Sequence, residues 1–175
     1  MFFIPGQLIA IATFPGVIVH EFAHMLFCRL RNIPVLDACY FRVGNPAGYV
    51  VHEKTDDFLS TFLVSMGPFF INTVLCLMIC LPAYVPIHFF GLEHPLSYVL
   101  MWLGVSIGMH AIPSTTDAQN LFDEAKIHAK SFNLLAIFSF PLVIAIYIFN
   151  VLRVIWADLA YGIMIGVGIP SLLFD

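Results

Sequence analysis

Apolar residues along this chain gather into runs of about 20, the length at which an α-helix crosses the roughly 30 Å hydrocarbon core of a bilayer. The runs cover about 2–30, 58–81, 96–112, 132–151 and 155–174 of the 175 residues, and most charged side chains lie between them. A water-soluble fold cannot hide that surface, because 61% of the residues are hydrophobic and 10% charged, against about 45–50% and 25% in soluble domains. The pattern predicts an all-α polytopic membrane protein with about five transmembrane helices, surrounded by membrane lipids. No basic patch suits a nucleic-acid partner.

Local signals refine the runs. Pro5, Pro15 and Gly16 predict an irregular start to the first run and then a helix over 17–30. Residues 32–57 are polar or β-branched and are punctuated by Pro34, Gly44, Pro46 and Gly48, which predicts a small β-hairpin or ribbon after the first span. Gly67-Pro68 interrupts the second span, and Pro82 and Pro86 open a loop reaching Pro95. The stretch DAQNLFDEAK at 117–126 reads as a short helix capped by Thr116 or Asp117. The four cysteines have neither zinc-knuckle nor disulfide-framework spacing, so they read as small buried hydrophobes. Arg29, Arg31, Arg42 and Lys54 lie between spans one and two, Lys126 and Lys130 between three and four, and only Arg153 dissents. Positive charge marks cytoplasmic loops, which puts the N-terminus outside and the C-terminus in the cytoplasm.

The chemistry resides in HEFAH at 20–24. Two histidines one helical turn apart point to the same side and can share a metal, with Glu21 beside them as general base. Ionisable groups inside a span are costly, so three neighbouring ones call for a compensating partner, and zinc is the ion this motif suits. A catalytic zinc takes three protein ligands and keeps one position open. Topology favours Asp117 as the third, since it follows the end of span three on the side of the membrane where His20 and His24 lie. His110, slightly earlier in that span, is the competitor, either as ligand or as a hydrogen-bond partner of the site. Asp56, Asp57, Asp123 and Glu124 read as solvated surface, and His52, His88, His94 and His128 as loop residues without a metal role.

Four segments in order carry a resemblance: HEFAH at 20–24, AGYV at 47–50, GPFFIN at 67–72 and HAIPSTTDA at 110–118. Together they resemble, as a distant member, the site-2 protease family of intramembrane zinc metalloproteases. That resemblance implies zinc ligation by His20, His24 and Asp117, catalysis by Glu21, and substrate contacts from Gly48, Tyr49, Val50, Asn72 and His110. The partner it implies is a transmembrane protein or peptide substrate. His110 stands where the family has asparagine, and Ala118 where it has glycine. Residues 1–131 form the expected metalloprotease core, and 132–175 two additional spans of the same domain. The alternative is a non-catalytic metal-binding scaffold or a small-ion transporter, because buried histidines and carboxylates also mark ion pathways.

Overall fold

The computed structural model describes residues 5–91 and 94–174; the beginning of the first apolar run at Phe2 and the loop residues Leu92 and Glu93 lie outside them. It is mostly helical with a small two-stranded sheet, in the order α1 (Gly6–Ala12), α2 (Phe14–Leu30), β1 (Val35–Cys39), β2 (Tyr49–His52), α3 (Phe58–Phe90), α4 (Pro95–Met109), α5 (Thr115–Ala129), α6 (Leu134–Leu152), α7 (Ala157–Ile163) and α8 (Ile169–Phe174). A 3-10 turn, Arg153–Ile155, ends α6, and a π-helical turn, Met164–Gly168, joins α7 to α8.

The irregular start of the first run is a helix of its own, and α1 meets α2 at 86°. Pro15 lies in the first turn of α2, where the missing N–H costs nothing. Among the described residues three helices are long and apolar enough to cross a membrane, at Phe58–His88, Leu134–Ile155 and Ala157–Phe174, and a fourth if α1 and α2 count as one broken span. The run expected as span three is α4, apolar but 15 residues long, or about 22 Å at 1.5 Å per residue.

The largest departure from expectation is α3. It runs unbroken for 33 residues through Pro68, Pro82 and Pro86, with no interruption at Gly67 and no loop at Pro82; Gly91 ends it in a left-handed conformation at φ 59. A proline removes one intrahelical bond, and a helix packed inside an apolar medium keeps the remainder because no water competes for them. The hairpin forms as expected, with β1 and β2 antiparallel, Cys39 opposite Tyr49, and an irregularity between Val35 and Asp37. Cys28, Cys76 and Cys80 are fully buried as expected. Cys39, on β1, is only partly so.

Helices α2, α3 and α4 pack together, α5 lies against α3 and α6, and α7 docks on α4. The last contact depends on glycines that let two backbones touch, the usual solution where lipid gives helices no hydrophobic incentive to associate. A Cβ on Gly162 would sit 2.8 Å from the Val105 carbonyl oxygen and 2.9 Å from the Met109 nitrogen, both backbone atoms of α4. Gly162→Ala should therefore push α7 off α4 and destabilise the protein by about 1–3 kcal/mol, the usual cost of overpacking. Thermal unfolding in detergent should show this loss, with no comparable effect from Gly44→Ala, where the nearest neighbour is a flexible arginine side chain.

Candidate metal centre

Helix α2 carries His20 and His24 on one face, and their Nε2 atoms lie 3.2 Å apart. Each ring is held from behind. His20 Nδ1 lies 2.7 Å from the carbonyl oxygen of His110, and His24 Nδ1 2.9 Å from that of Val64. A carbonyl only accepts, so both Nδ1 atoms carry the proton and donate it, which leaves the Nε2 lone pairs facing each other.

Both carbonyls are available for reasons written in the chain. Val64 is four residues before Pro68 in α3, and the nitrogen that would normally bond its oxygen is the proline nitrogen, which has no hydrogen. His110 caps the C-terminus of α4, beyond the helical ladder. Asn72 adds to this support: its Nδ2 donates to the carbonyls of His110 at 3.2 Å and Ile107 at 3.1 Å. Gly67 brings α3 close to α2, since a Cβ there would run into the ring of Phe27.

Asp117 arrives from α5. The cap of that helix is Ser114, neither Thr116 nor Asp117: the Ser114 hydroxyl accepts from the Asp117 N–H at 3.2 Å and donates to Asp117 Oδ2 at 2.6 Å, while the Ser114 N–H donates to the same oxygen at 2.8 Å. This reciprocal capping box fixes the carboxylate through one oxygen and leaves the other for the site. Oδ1 lies 3.5 Å from His24 Nε2, and Oδ2 lies 3.9 Å from His20 Nε2. Burial alone would raise the Asp117 pKa, and the Ser114 hydroxyl, donating to Oδ2, acts in the opposite direction.

One ligand atom from each of His20, His24 and Asp117 therefore lies within 4.8 Å of the others. Three acceptors turned on one another repel unless a cation sits among them. Tetrahedral ligands at about 2.0–2.1 Å from a metal stand about 3.3 Å apart; the pairs here lie at 3.2, 3.5 and 3.9 Å, so the three side chains could hold a metal ion.

A cleft of about 460 Å³ opens onto the three ligands and is also lined by Glu21, Gly48, Tyr49, Val50, His110 and Arg153. Glu21 is buried, and among the described residues its carboxylate takes no hydrogen bond. Gly48 lies so close that a Cβ would come within 2.6 Å of Glu21 Cγ. Five of the expected residues thus converge with the ligands on one cleft. Asn72, expected on the substrate side, is fully buried behind it as a backbone brace. His110 lines the cleft, but its Nε2 pairs with Thr13 Oγ1 at 2.8 Å, and it does not join the ligand group.

Of the remaining histidines expected in loops, His52 is in β2, His88 in α3 and His128 in α5, while His94 does lie in the connection before α4, as its N-cap. None joins the metal group among the described residues. Asp57 caps α3 and pairs with Arg31 at 2.8 Å, Asp123 pairs with Lys126 at 2.8 Å, and Glu124 lies 3.9 Å from His128. Sequence reasoning missed the parts played by Pro68 and Arg153. For Arg153 the signal was present, an arginine flanked by apolar residues that opposed the charge pattern. No family model matches the chain, and neither a curated protein nor a solved structure matches it.

Asp117→Asn keeps the shape but removes the negative charge, so zinc affinity measured by competition with a chelator should fall at least about tenfold. Asp123→Asn should leave it unchanged.

Proposed function

We propose that this chain is an intramembrane zinc metalloendopeptidase that hydrolyses a peptide bond in or near a transmembrane segment of a membrane-protein substrate. The observation that carries the reading is the convergence of His20, His24 and Asp117 with Glu21 on the wall of the same cleft. A zinc ion bound there supplies Lewis acidity, polarising a peptide carbonyl and lowering the pKa of water toward about 7.

The chain's own residues do the rest. His20 and His24 present lone pairs from rings locked by their Nδ1 bonds, so ligation needs no rearrangement. Glu21 follows His20 directly in α2 and is free of hydrogen bonds among the described residues. It takes the proton as water adds to the carbonyl carbon and delivers it to the departing amide nitrogen. A helical substrate conceals its carbonyls in internal bonds and must be locally extended before attack. Among the described residues β2 pairs with β1 on one side only, and 48–52 line the cleft, so its other edge can receive such a segment by β-augmentation. Gly48 keeps that approach open beside Glu21.

In this reading the chain crosses the membrane five times with its N-terminus outside, and cleavage occurs near the cytoplasmic face. The ordered resemblance to site-2 proteases supports it. A metal-binding scaffold or an ion transporter could use the same ligands, and Glu21→Gln separates the two classes. Proteolysis of a reconstituted transmembrane substrate should fall by at least about 10²-fold, the scale of lost general-base catalysis, while zinc affinity stays near wild type. Undiminished cleavage by Glu21→Gln would remove the glutamate from the chemistry.

A further inference from the structure

The two last spans meet the metal centre through an elbow. Near the end of α6, in an otherwise apolar stretch, stand Asn150 and Arg153. Beyond them Trp156 takes a left-handed conformation at φ 65 and redirects the chain into α7. A bulky residue holds that conformation only where its surroundings fix it.

Both polar side chains reach back to the segment between α4 and α5. Asn150 Nδ2 donates to the Pro113 carbonyl at 3.0 Å and to the Ile146 carbonyl of its own helix at 2.9 Å. Arg153 Nη2 donates to the Ile112 carbonyl at 2.9 Å. Ile112 and Pro113 fall outside both helices, and among the described residues their oxygens receive no backbone N–H. Irregular backbone at this depth persists only where it is buried in protein and satisfied there. The elbow supplies that satisfaction, and the next residue in the chain is Ser114, whose amide and hydroxyl hold Asp117.

Arg153 has a second peculiarity. Its Nε is buried without a hydrogen-bond partner, and among the described residues no carboxylate lies within ion-pair distance. An arginine kept there on a single directed bond, when an apolar residue could fill the space, points to a requirement for that bond.

We infer that Asn150 and Arg153 are positioning residues for the metal-binding carboxylate of Asp117. By anchoring two consecutive carbonyls they set the point from which α5 starts and so the place its capping box gives to the carboxylate. The last two spans are then part of the metal centre although they contribute no ligand. This inference rests on the metal-centre reading above.

The test is Co2+ binding by the detergent-purified full chain, stripped with a chelator and followed by the visible absorption that reports cobalt coordination geometry. Asn150→Leu and Arg153→Met remove the donors and should weaken Co2+ binding about tenfold, the low end of the range for outer-shell changes, with an altered band. Arg153→Lys should recover part of the affinity, and Val151→Ala, at an exposed position of the same helix, should match wild type. Should the apolar variants fail to fold, Arg153→Lys and Asn150→Gln carry the test, with measurably weaker binding and an altered band expected. Wild-type affinity and spectrum in the folded variants would overturn the clamp alone. Absence of Co2+ binding by the wild-type chain would overturn the metal centre and the clamp with it.

Discussion

Two carbonyl oxygens that no helical ladder claims, those of Val64 and His110, hold the rings of His24 and His20, and the candidate centre depends on both. In a lipid-embedded protein every backbone group must find a partner inside the molecule. A carbonyl left free by a proline or by a helix end is therefore a strong and directional acceptor. Pro68 creates one within α3, and the end of α4 at His110 creates the other. With both Nδ1 protons committed, the Nε2 lone pairs have one direction left, toward each other and toward Asp117. A cation placed among the three would be stabilised by all of them.

The same logic extends outward. Asn72 braces the His110 carbonyl from α3, Ser114 braces Asp117, and Asn150 and Arg153 brace the segment before Ser114. Each of these bonds satisfies a backbone or carboxylate group that irregular structure had left open. A rigid first set of ligands is what a metal site needs, since a geometry fixed before binding spares the cost of ordering it afterwards. Glu21 differs: it lies beside Gly48, which has no Cβ to crowd it, and among the described residues its carboxylate has no hydrogen bond.

Much of this was legible in the chain. The four-residue spacing of His20 and His24 has one meaning on a helix, and the alternation and turn residues of 32–57 have one meaning outside the membrane. Asp117 could be chosen because so few acids follow a span. What escaped was governed by contacts between distant segments. Pro68, Pro82 and Pro86 read as breaks because proline disrupts helices in water, whereas α3 continues through all three. Ser114, Thr115, Thr116 and Asp117 are four cap-competent residues in a row, and only the reciprocal bonds select Ser114. Asn72 was placed on the substrate side by resemblance, while the packing of α3 against α4 turns it to the backbone of Ile107 and His110. The 86° bend before α2 has no mark beyond Pro15 and Gly16.

The central claim is that His20, His24 and Asp117 hold one zinc ion with an open position beside Glu21. X-ray absorption at the zinc edge, on folded detergent-purified protein of measured metal content, tests it most directly. The account predicts one zinc per chain with nitrogen and oxygen ligands alone at about 2.0–2.1 Å, two of them imidazoles. Folded protein without bound transition metal, or zinc with sulfur ligands at about 2.3 Å, would contradict it.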